Sequence, residues 1–210
     1  MESLDTKTIK MVVRQLRKLM NEQCDHLLEL DRAIGDGDLG LTMTKAFDAA
    51  DEAASRSDEP LPGKLLARLG MTMAKAAPST MGTLLATGFM RGGKAVGETP
   101  AMDTKHLAQF FRAFVDGIIE RGKTKIGNKT VVDALHPAAE SLEKSAHSGS
   151  SLKTALEVAA KAADDGRKAA KNMKSQHGKA AVFRDQTIGL EDPGAYVGAL
   201  IIKGFSESLT

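Results

Sequence analysis

Apolar residues recur at steps of three and four along most of this chain, a pattern typical of helices that bury one face. In the first segment these apolar positions are Ile9, Val12, Val13, Leu16, Leu19, Met20 and Leu27. Aromatic residues, which strands favour, are scarce, with no Trp, one Tyr and seven Phe in 210 residues. Ala, Leu, Met, Lys and Glu, which favour helices, dominate instead. The sequence therefore predicts an all-α protein.

The interruptions of this pattern predict eight helices joined by loops. The helices are expected over residues up to about 30, 41–56, 64–77, 82–96, 104–121, from about 130, 151–173 and 192–209. Residues 174–191 are expected to be irregular. Asp192 can cap the last helix, and Pro193 fits its first turn. A chain of 210 residues suits a single domain over residues 1–210, arranged as an up-and-down bundle.

Charge and cysteine content exclude several classes of protein. The 29 basic and 27 acidic side chains nearly cancel, whereas a protein that neutralises nucleic-acid phosphates usually has a clear basic excess. Cys24 is the single cysteine, so an internal disulfide and a cysteine-based zinc site are excluded. There is no apolar run of the ~18 residues that span a bilayer and no secretory signal at the start. We therefore expect a soluble, cytoplasmic protein.

The segment that follows the first helix is the richest in chemistry. Three carboxylates occur within eight residues and alternate with three glycines, namely Asp31, Asp36, Asp38, Gly35, Gly37 and Gly40. Short carboxylates on a flexible turn can converge on Mg²⁺, which prefers oxygen ligands. The glycines permit positive φ and close backbone approach. A helix start follows, where amides and the helix dipole favour phosphate. A turn whose aspartates merely cap helices remains an equal alternative on these residues alone.

Three further turns are candidate ligand sites but are not specific individually. Residues 78–82 join two helices and could present hydroxyls and amides to a phosphate. Residues 127–130 precede Asp133, and residues 189–194 form a helix entry. Each is also compatible with an ordinary turn. Of the five histidines, only His177, beside Gly178 and Lys179, is placed where a role in a site is conceivable.

Taken in order, these segments resemble a known family. The motifs are L-D-x-x-I-G-D-G-D-x-G, then G-M-T, R-G-K, G-N-K-T-x-x-D and I-G-x-x-D-P-G-A. In this order they are similar to the L subunit of bacterial dihydroxyacetone kinases, over essentially the whole chain. The resemblance implies an eight-helix antiparallel up-and-down α-barrel. It also implies that loops at one end of the barrel hold an adenine nucleotide, ADP or ATP, and two Mg²⁺ ions.

The resemblance further implies a phosphotransferase that works with partner proteins. The phosphoryl group would pass to dihydroxyacetone, a small ketose held on a separate K subunit. In the branch served by the phosphotransferase system, ADP stays bound and is recharged by a phosphohistidine on an M-type phosphocarrier. In the other branch, ATP is the exchangeable donor. A kinase subunit for a four-carbon ketose and a non-catalytic helical binding protein remain as alternatives.

Carried over by position, the resemblance assigns metal binding and catalysis to Asp31, Asp36 and Asp38. It assigns nucleotide contacts to Leu39, Gly40, Leu41, Thr42, Ser79, Thr80, Met81, Gly82, Gly122, Val131, Lys179, Asp192, Pro193 and Gly194. Segment 174–191 is expected to close over the nucleotide. This chain departs from the family at four places. His is common where Leu39 stands, G-G-A-S-G at residues 78–82, Met at Val131 and Arg at Lys179.

Overall fold

The computed structural model describes residues 3–209, and within them the chain is helical with no named strand. The α-helices are α1 (Thr6–Glu22), α2 (Cys24–Ile34), α3 (Leu39–Arg56), α4 (Pro62–Ala76), α5 (Thr80–Val96), α6 (Thr104–Gly122), α7 (Val132–His147), α8 (Leu152–Ala170) and α9 (Pro193–Glu207). A 3₁₀ stretch, Lys179–Thr187, lies between α8 and α9. It is interrupted at Arg184, which has a φ of 49°. The all-α prediction is confirmed.

Eight of these helices form a closed ring. From α3 to α9 each helix packs on the next, α1 packs on α3, and α9 returns to α1. Neighbours in the ring are antiparallel, as in an up-and-down bundle; for example, Gln15 of α1 bonds Glu207 at the end of α9, whereas Gln23, after α1, bonds Tyr196 at the start of α9. The predicted up-and-down α-barrel is thus the observed architecture. Among residues 3–209, no helix is both long enough and apolar enough to cross a membrane.

The first predicted helix is wrong in one respect, because the structure divides it into α1 and α2. Gln23 leaves the helical conformation, with φ −99° and ψ 7°. Its side-chain oxygen accepts a hydrogen bond of 2.8 Å from the hydroxyl of Tyr196 in α9. The ring of His26 packs edge-on against Tyr196, with centroids 4.8 Å apart. These contacts hold α2 against α9, and α2 also packs on α3, so α2 lies beside the ring. It ends at the loop of residues 35–38, here called the acidic loop.

Phenylalanines fill much of the interior. Phe89 packs edge-on against Phe114, with ring centroids 5.1 Å apart, and Phe111 does so against Phe205, at 5.0 Å. Gly88 in α5 lies directly under the ring of Phe114, where a Cβ would come within 2.7 Å. The absence of a side chain at Gly88 therefore permits close packing of α5 on α6. Such edge-to-face pairs stabilise the core beyond the apolar area they bury.

Side-chain caps define the starts of several helices. The side chains of Asp5, Ser79, Asp103, Ser151 and Asp192 accept hydrogen bonds from backbone N–H groups in the first turns of α1, α5, α6, α8 and α9. Each such cap is worth about 1 kcal/mol. The boundaries otherwise differ from the expected ones by a few residues. For example, α3 begins at Leu39, two residues before the predicted start, and α8 ends at Ala170, three residues before the predicted end.

Candidate functional site

The three loop carboxylates lie together. One oxygen atom each of Asp31, Asp36 and Asp38 falls within 4.8 Å of the others. Asp31 is on the last turn of α2 and is half-buried, whereas Asp36 and Asp38 are on the loop and exposed. Three carboxylate oxygens at this separation are the hard donors that Mg²⁺ prefers. The residues present therefore fit a divalent cation.

Helix capping accounts for only part of this arrangement. One oxygen of Asp31 accepts hydrogen bonds from the backbone N–H groups of Asp38, at 2.9 Å, and Leu39, at 3.2 Å. Asp31 thereby closes the loop and satisfies the start of α3. The side chain of Asp38 occupies the N-cap position but makes no capping bond. The carboxylate of Asp36 is paired with Lys179. Two of the three carboxylates are thus placed beside the helix start without serving it.

Two glycines allow this loop to close. Gly37 has a φ of 72°, the left-handed region that side chains rarely adopt. A Cβ on Gly40 would lie 2.2 Å from the carbonyl oxygen of Cys24, so α3 can start close to α2 only with glycine there. Positive φ and close backbone approach are the two uses of glycine that the sequence predicts for this loop. Together they fix the direction of Asp36 and Asp38 relative to Asp31.

The starts of four alternate helices share one end of the barrel. Because neighbouring helices are antiparallel, α3, α5, α7 and α9 all begin at the end where the acidic loop lies. A Cβ on Gly194 would be 3.1 Å from both Met81 Cε and the backbone nitrogen of Val131, so the starts of α5, α7 and α9 meet. Helix N-termini present unpaired N–H groups and favour anions. This end of the barrel suits a phosphate ligand.

The remaining predicted nucleotide contacts lie at the same end but differ in exposure. The side chain of Leu39 is buried, at 7% exposed, whereas Leu41 is 52% exposed. The Ser79 hydroxyl accepts a 3.0 Å hydrogen bond from the Gly82 nitrogen, so it serves as the cap of α5. Gly122, at the end of α6, lies beside Leu84 of α5. Thr42, Thr80 and Pro193 occupy the first turns of α3, α5 and α9.

Lys179 joins segment 174–191 to the acidic loop. Its ammonium donates to Asp36, 143 residues earlier in the chain. This hydrogen bond lowers the pKa of the Asp36 carboxyl and raises the pKa of the Lys179 ammonium. Asp31 and Asp38 also face Lys179 and add to the second effect. The cation that pairs with Asp36 thus comes from the segment expected to close over a nucleotide.

A buried lysine beneath that segment was not singled out from the sequence. Lys129 is only 3% exposed, and its ammonium donates to backbone carbonyls of Lys171, Thr187 and Leu190. Its φ of 59° lies in the left-handed region, which costs roughly 1 kcal/mol or more for a residue with a Cβ. The turn 127–130 was recognised as a candidate site, but carbonyl partners leave no signature in a sequence.

Asp192 is a buried acid at this end of the barrel. It is 5% exposed and accepts a 2.6 Å hydrogen bond from the Ala195 nitrogen. Burial raises the pKa of Asp192 from 3.8 to about 7, against the opposing effects of Ala195 and the charge of Lys129. Its contribution to stability is therefore present at low pH and is lost as the pH rises toward about 7.

We expect Asp192→Asn to remove this pH dependence, because Asn is neutral and its oxygen can still accept from Ala195. The free energy of unfolding of the variant relative to the wild type should increase by a few kcal/mol between about pH 4 and about pH 7, at ~1.4 kcal/mol per pKa unit, and then level off. Urea titrations across this range would measure it. A constant difference between the two proteins would contradict the raised pKa.

Comparison with known proteins agrees with this fold and identifies the family. A family model, the DAK2 domain, matches residues 33–207. The chain belongs to the DAK2 domain family. The match begins within the last turn of α2 and includes the acidic loop, the starts of α3, α5, α7 and α9, and segment 174–191.

Relatives of this DAK2 domain include subunits and longer kinases. It is 33% identical over 177 residues to the ADP-binding subunit DhaL of the PEP-dependent dihydroxyacetone kinase of Escherichia coli, covering 84% of each chain. The corresponding subunit of kinase 1 in Listeria innocua is 30% identical, with 83% and 82% covered. D-erythrulose kinase of Mycolicibacterium smegmatis is also 30% identical, over 89% of this chain but 32% of that protein.

A solved structure has the same fold. The native form of the dihydroxyacetone kinase of C. freundii superposes with a TM-score of 0.72 at 22% identity, covering 99% of this chain. This chain spans 36% of that protein. The DAK2 domain described here therefore shares the helical barrel of that kinase.

Proposed function

We propose that this chain is the nucleotide- and magnesium-binding subunit of a dihydroxyacetone kinase. The observation that carries the proposal is the convergence of Asp31, Asp36 and Asp38 beside the helix starts at one end of the barrel. The similarity to two ADP-binding subunits over more than four fifths of their length supports it. The nucleotide is ADP or ATP, and we assign two Mg²⁺ ions to the carboxylates.

The residues of this site have separate tasks. Asp31, Asp36 and Asp38 would hold Mg²⁺, which when bound offsets the negative charge of the phosphates and of the phosphoryl group in transfer. The first turns of α3, α5, α7 and α9 present backbone N–H groups toward phosphate oxygens. Lys179 supplies a positive charge from segment 174–191, as a point charge without the bidentate geometry of Arg. Catalysis by such a site is mainly positioning and electrostatics.

The acceptor and the source of the phosphoryl group lie on partners. Dihydroxyacetone is held on a separate, substrate-binding K subunit, which docks at the end of the barrel that carries the acidic loop. The nucleotide stays bound as ADP and is recharged by a phosphohistidine on an M-type phosphocarrier of the phosphotransferase system. The names of the E. coli and Listeria relatives, ADP-binding subunits of PEP-dependent kinases, favour this branch.

A second candidate is an ATP-dependent kinase for another small ketose. The similarity to D-erythrulose kinase and to L-erythrulose 1-kinase, each 30% identical, favours it. In that case ATP and ADP exchange freely with solution. Retention of the nucleotide therefore separates the two candidates. A non-catalytic helical binding protein is disfavoured, because Asp36 and Asp38 do not cap helices.

We expect ADP to remain bound through gel filtration in a magnesium buffer and to be released when EDTA removes the metal. Without the metal, the carboxylates repel the diphosphate, so ADP affinity should fall about 100-fold, or ~2.7 kcal/mol. Absorbance of the protein peak and chromatography of the released nucleotide measure this. Rapid exchange of ADP with ATP would favour the second candidate. No nucleotide binding with or without Mg²⁺ would refute both.

A further inference from the structure

Segment 174–191 is held at its base by the ammonium of Lys129. The three N–H donors of this buried side chain meet three carbonyl oxygens, those of Thr187 and Leu190 at 2.7 Å and that of Lys171 at 3.1 Å. Lys171 precedes the segment, and Thr187 and Leu190 lie near its far end. One ammonium thus joins both ends of the segment to the turn before α7, and all of its donors are used.

Backbone hydrogen bonds close the same base. The Gly189 nitrogen donates to the Lys171 carbonyl at 2.7 Å, and the Ser175 nitrogen donates to the hydroxyl of the fully buried Thr187 at 3.0 Å. The carbonyl oxygen of Lys171 therefore receives both the Lys129 ammonium and a backbone N–H. The two ends of the segment are thus hydrogen-bonded to each other and to Lys129 in one connected network.

Asn128, next to Lys129, holds the entry to the segment. Its backbone carbonyl accepts from the Gln176 nitrogen at 3.2 Å, and its side-chain oxygen is 3.0 Å from Nε2 of His177. The same side-chain oxygen accepts from the Lys125 nitrogen at 2.9 Å, which fixes the turn itself. The turn before α7 is therefore the support on which the segment rests.

The tip of the segment has the opposite character. Val182 is 81% exposed and Phe183 is 40% exposed. The tip carries Lys179, which reaches the carboxylate of Asp36. Because hydrogen bonds fix the base of the segment, the base limits the positions that the Lys179 ammonium at the exposed tip can reach. The position of this cation at the carboxylate cluster thus depends on residues that do not touch the cluster.

We propose that Lys129 is a positioning residue that acts through Lys179. By joining the carbonyls at the two ends of segment 174–191, it keeps the Lys179 ammonium at the acidic loop, where a nucleoside diphosphate and Mg²⁺ bind. The inference rests on the proposed function for its ligand but not for its geometry. A neutral side chain of similar size would remove the Lys129 donor from all three carbonyls, and among the described residues only those of Lys171 and Thr187 would keep a backbone N–H partner. The tip would then sample more positions, and Lys179 would spend less time at the ligand.

Hydrogen exchange tests the geometric part without any ligand. In Lys129→Met, amides of residues 174–191 should exchange at least tenfold faster than in the wild type, while those of α5 and α6 stay unchanged. Lys125→Met is the matched control, because Lys125 is an exposed lysine of the same turn and its variant should exchange like the wild type. Unchanged exchange in Lys129→Met would overturn the proposal.

Calorimetry with Mg-ADP tests whether Lys129 acts through Lys179. Lys129→Met should weaken binding about tenfold in the wild-type background but less than about twofold when Lys179 is already alanine, since coupled residues give non-additive losses. Equal losses in both backgrounds would show a merely structural role and overturn the proposal. If Lys129→Met does not fold, Lys129→Gln, which keeps two donors, replaces it with the same criteria. If the wild type itself does not bind Mg-ADP, the proposed function fails, and the exchange experiment still decides the geometry.

Discussion

Asp38→Asn is expected to weaken Mg-ADP binding about 100-fold or more, or at least ~2.7 kcal/mol, while the melting temperature stays within about 2 °C of the wild type. The carboxylate of Asp38 is exposed and caps no helix, so its loss costs the fold little. It supplies one of three oxygens within 4.8 Å of one another, so its loss would remove one of the three carboxylate donors proposed for the metal. This separation of binding from stability is the signature of a ligand residue.

Titration calorimetry of Mg-ADP, together with a thermal melt of each protein, measures both quantities. Asp58→Asn is the matched control, because Asp58 is an exposed aspartate beyond the far end of α3, and it should bind as the wild type does. Asp31→Ala should differ from Asp38→Asn by also lowering stability, because the N–H groups that start α3 donate to Asp31 and alanine has no acceptor for them. An unchanged dissociation constant for Asp38→Asn would refute the metal assignment.

Gly40→Ala is expected to lower the free energy of unfolding by about 3 kcal/mol, the upper range for overpacking at a close contact. The added methyl would lie 2.2 Å from the carbonyl oxygen of Cys24, which is backbone and cannot rotate away. At ~2–4 °C per kcal/mol for a chain of this size, the melting temperature should fall by about 6–12 °C. Because α2 and α3 must separate, the acidic loop between them should also bind Mg-ADP more weakly.

Gly117→Ala is the matched control for a helical glycine. The atoms nearest to its methyl would all belong to the side chain of Arg91, which is flexible and can move away. In a helix interior, alanine is also about 1 kcal/mol more favourable than glycine. We therefore expect Gly117→Ala to be neutral or stabilising. Thermal and urea unfolding of both variants would show the contrast. Equal stability of the two variants would contradict the close approach of α2 and α3.

The ring of helices could be predicted from the sequence because each helix is indicated by residues that are close together in the chain. Apolar spacing, the cap at Asp192 and the proline at position 193 are each recognised from residues within one or two helical turns. The break at Gln23 could not be, because apolar positions at helical spacing continue on both sides of it. Its cause is Tyr196, 173 residues later, which binds the Gln23 side chain. Contacts of this separation determine where a helix bends.

The candidate site, too, could be predicted from the sequence only in part. The acidic loop was predicted because its three aspartates and three glycines are neighbours in sequence. The gathering of Met81, Val131 and Gly194 followed from the resemblance, and the alternation of helix direction explains it. The role of Lys129 could not be predicted, because its partners are carbonyls 42 to 61 residues away, and every residue has a carbonyl. That one side chain donates to carbonyls at both ends of segment 174–191.

The seam between α1 and α9 also has a consequence for biosynthesis. The apolar face of α1 is covered in part by α9, whose 15 residues leave the ribosome late in this sequence. Until these residues emerge, the other helices of the ring can form only an open arc. The faces of α1 and α8 that α9 covers are then exposed at its two edges. The helix that seals the arc also brings Asp192 and Gly194, so the ligand end and the hydrophobic interior are completed in the same late event.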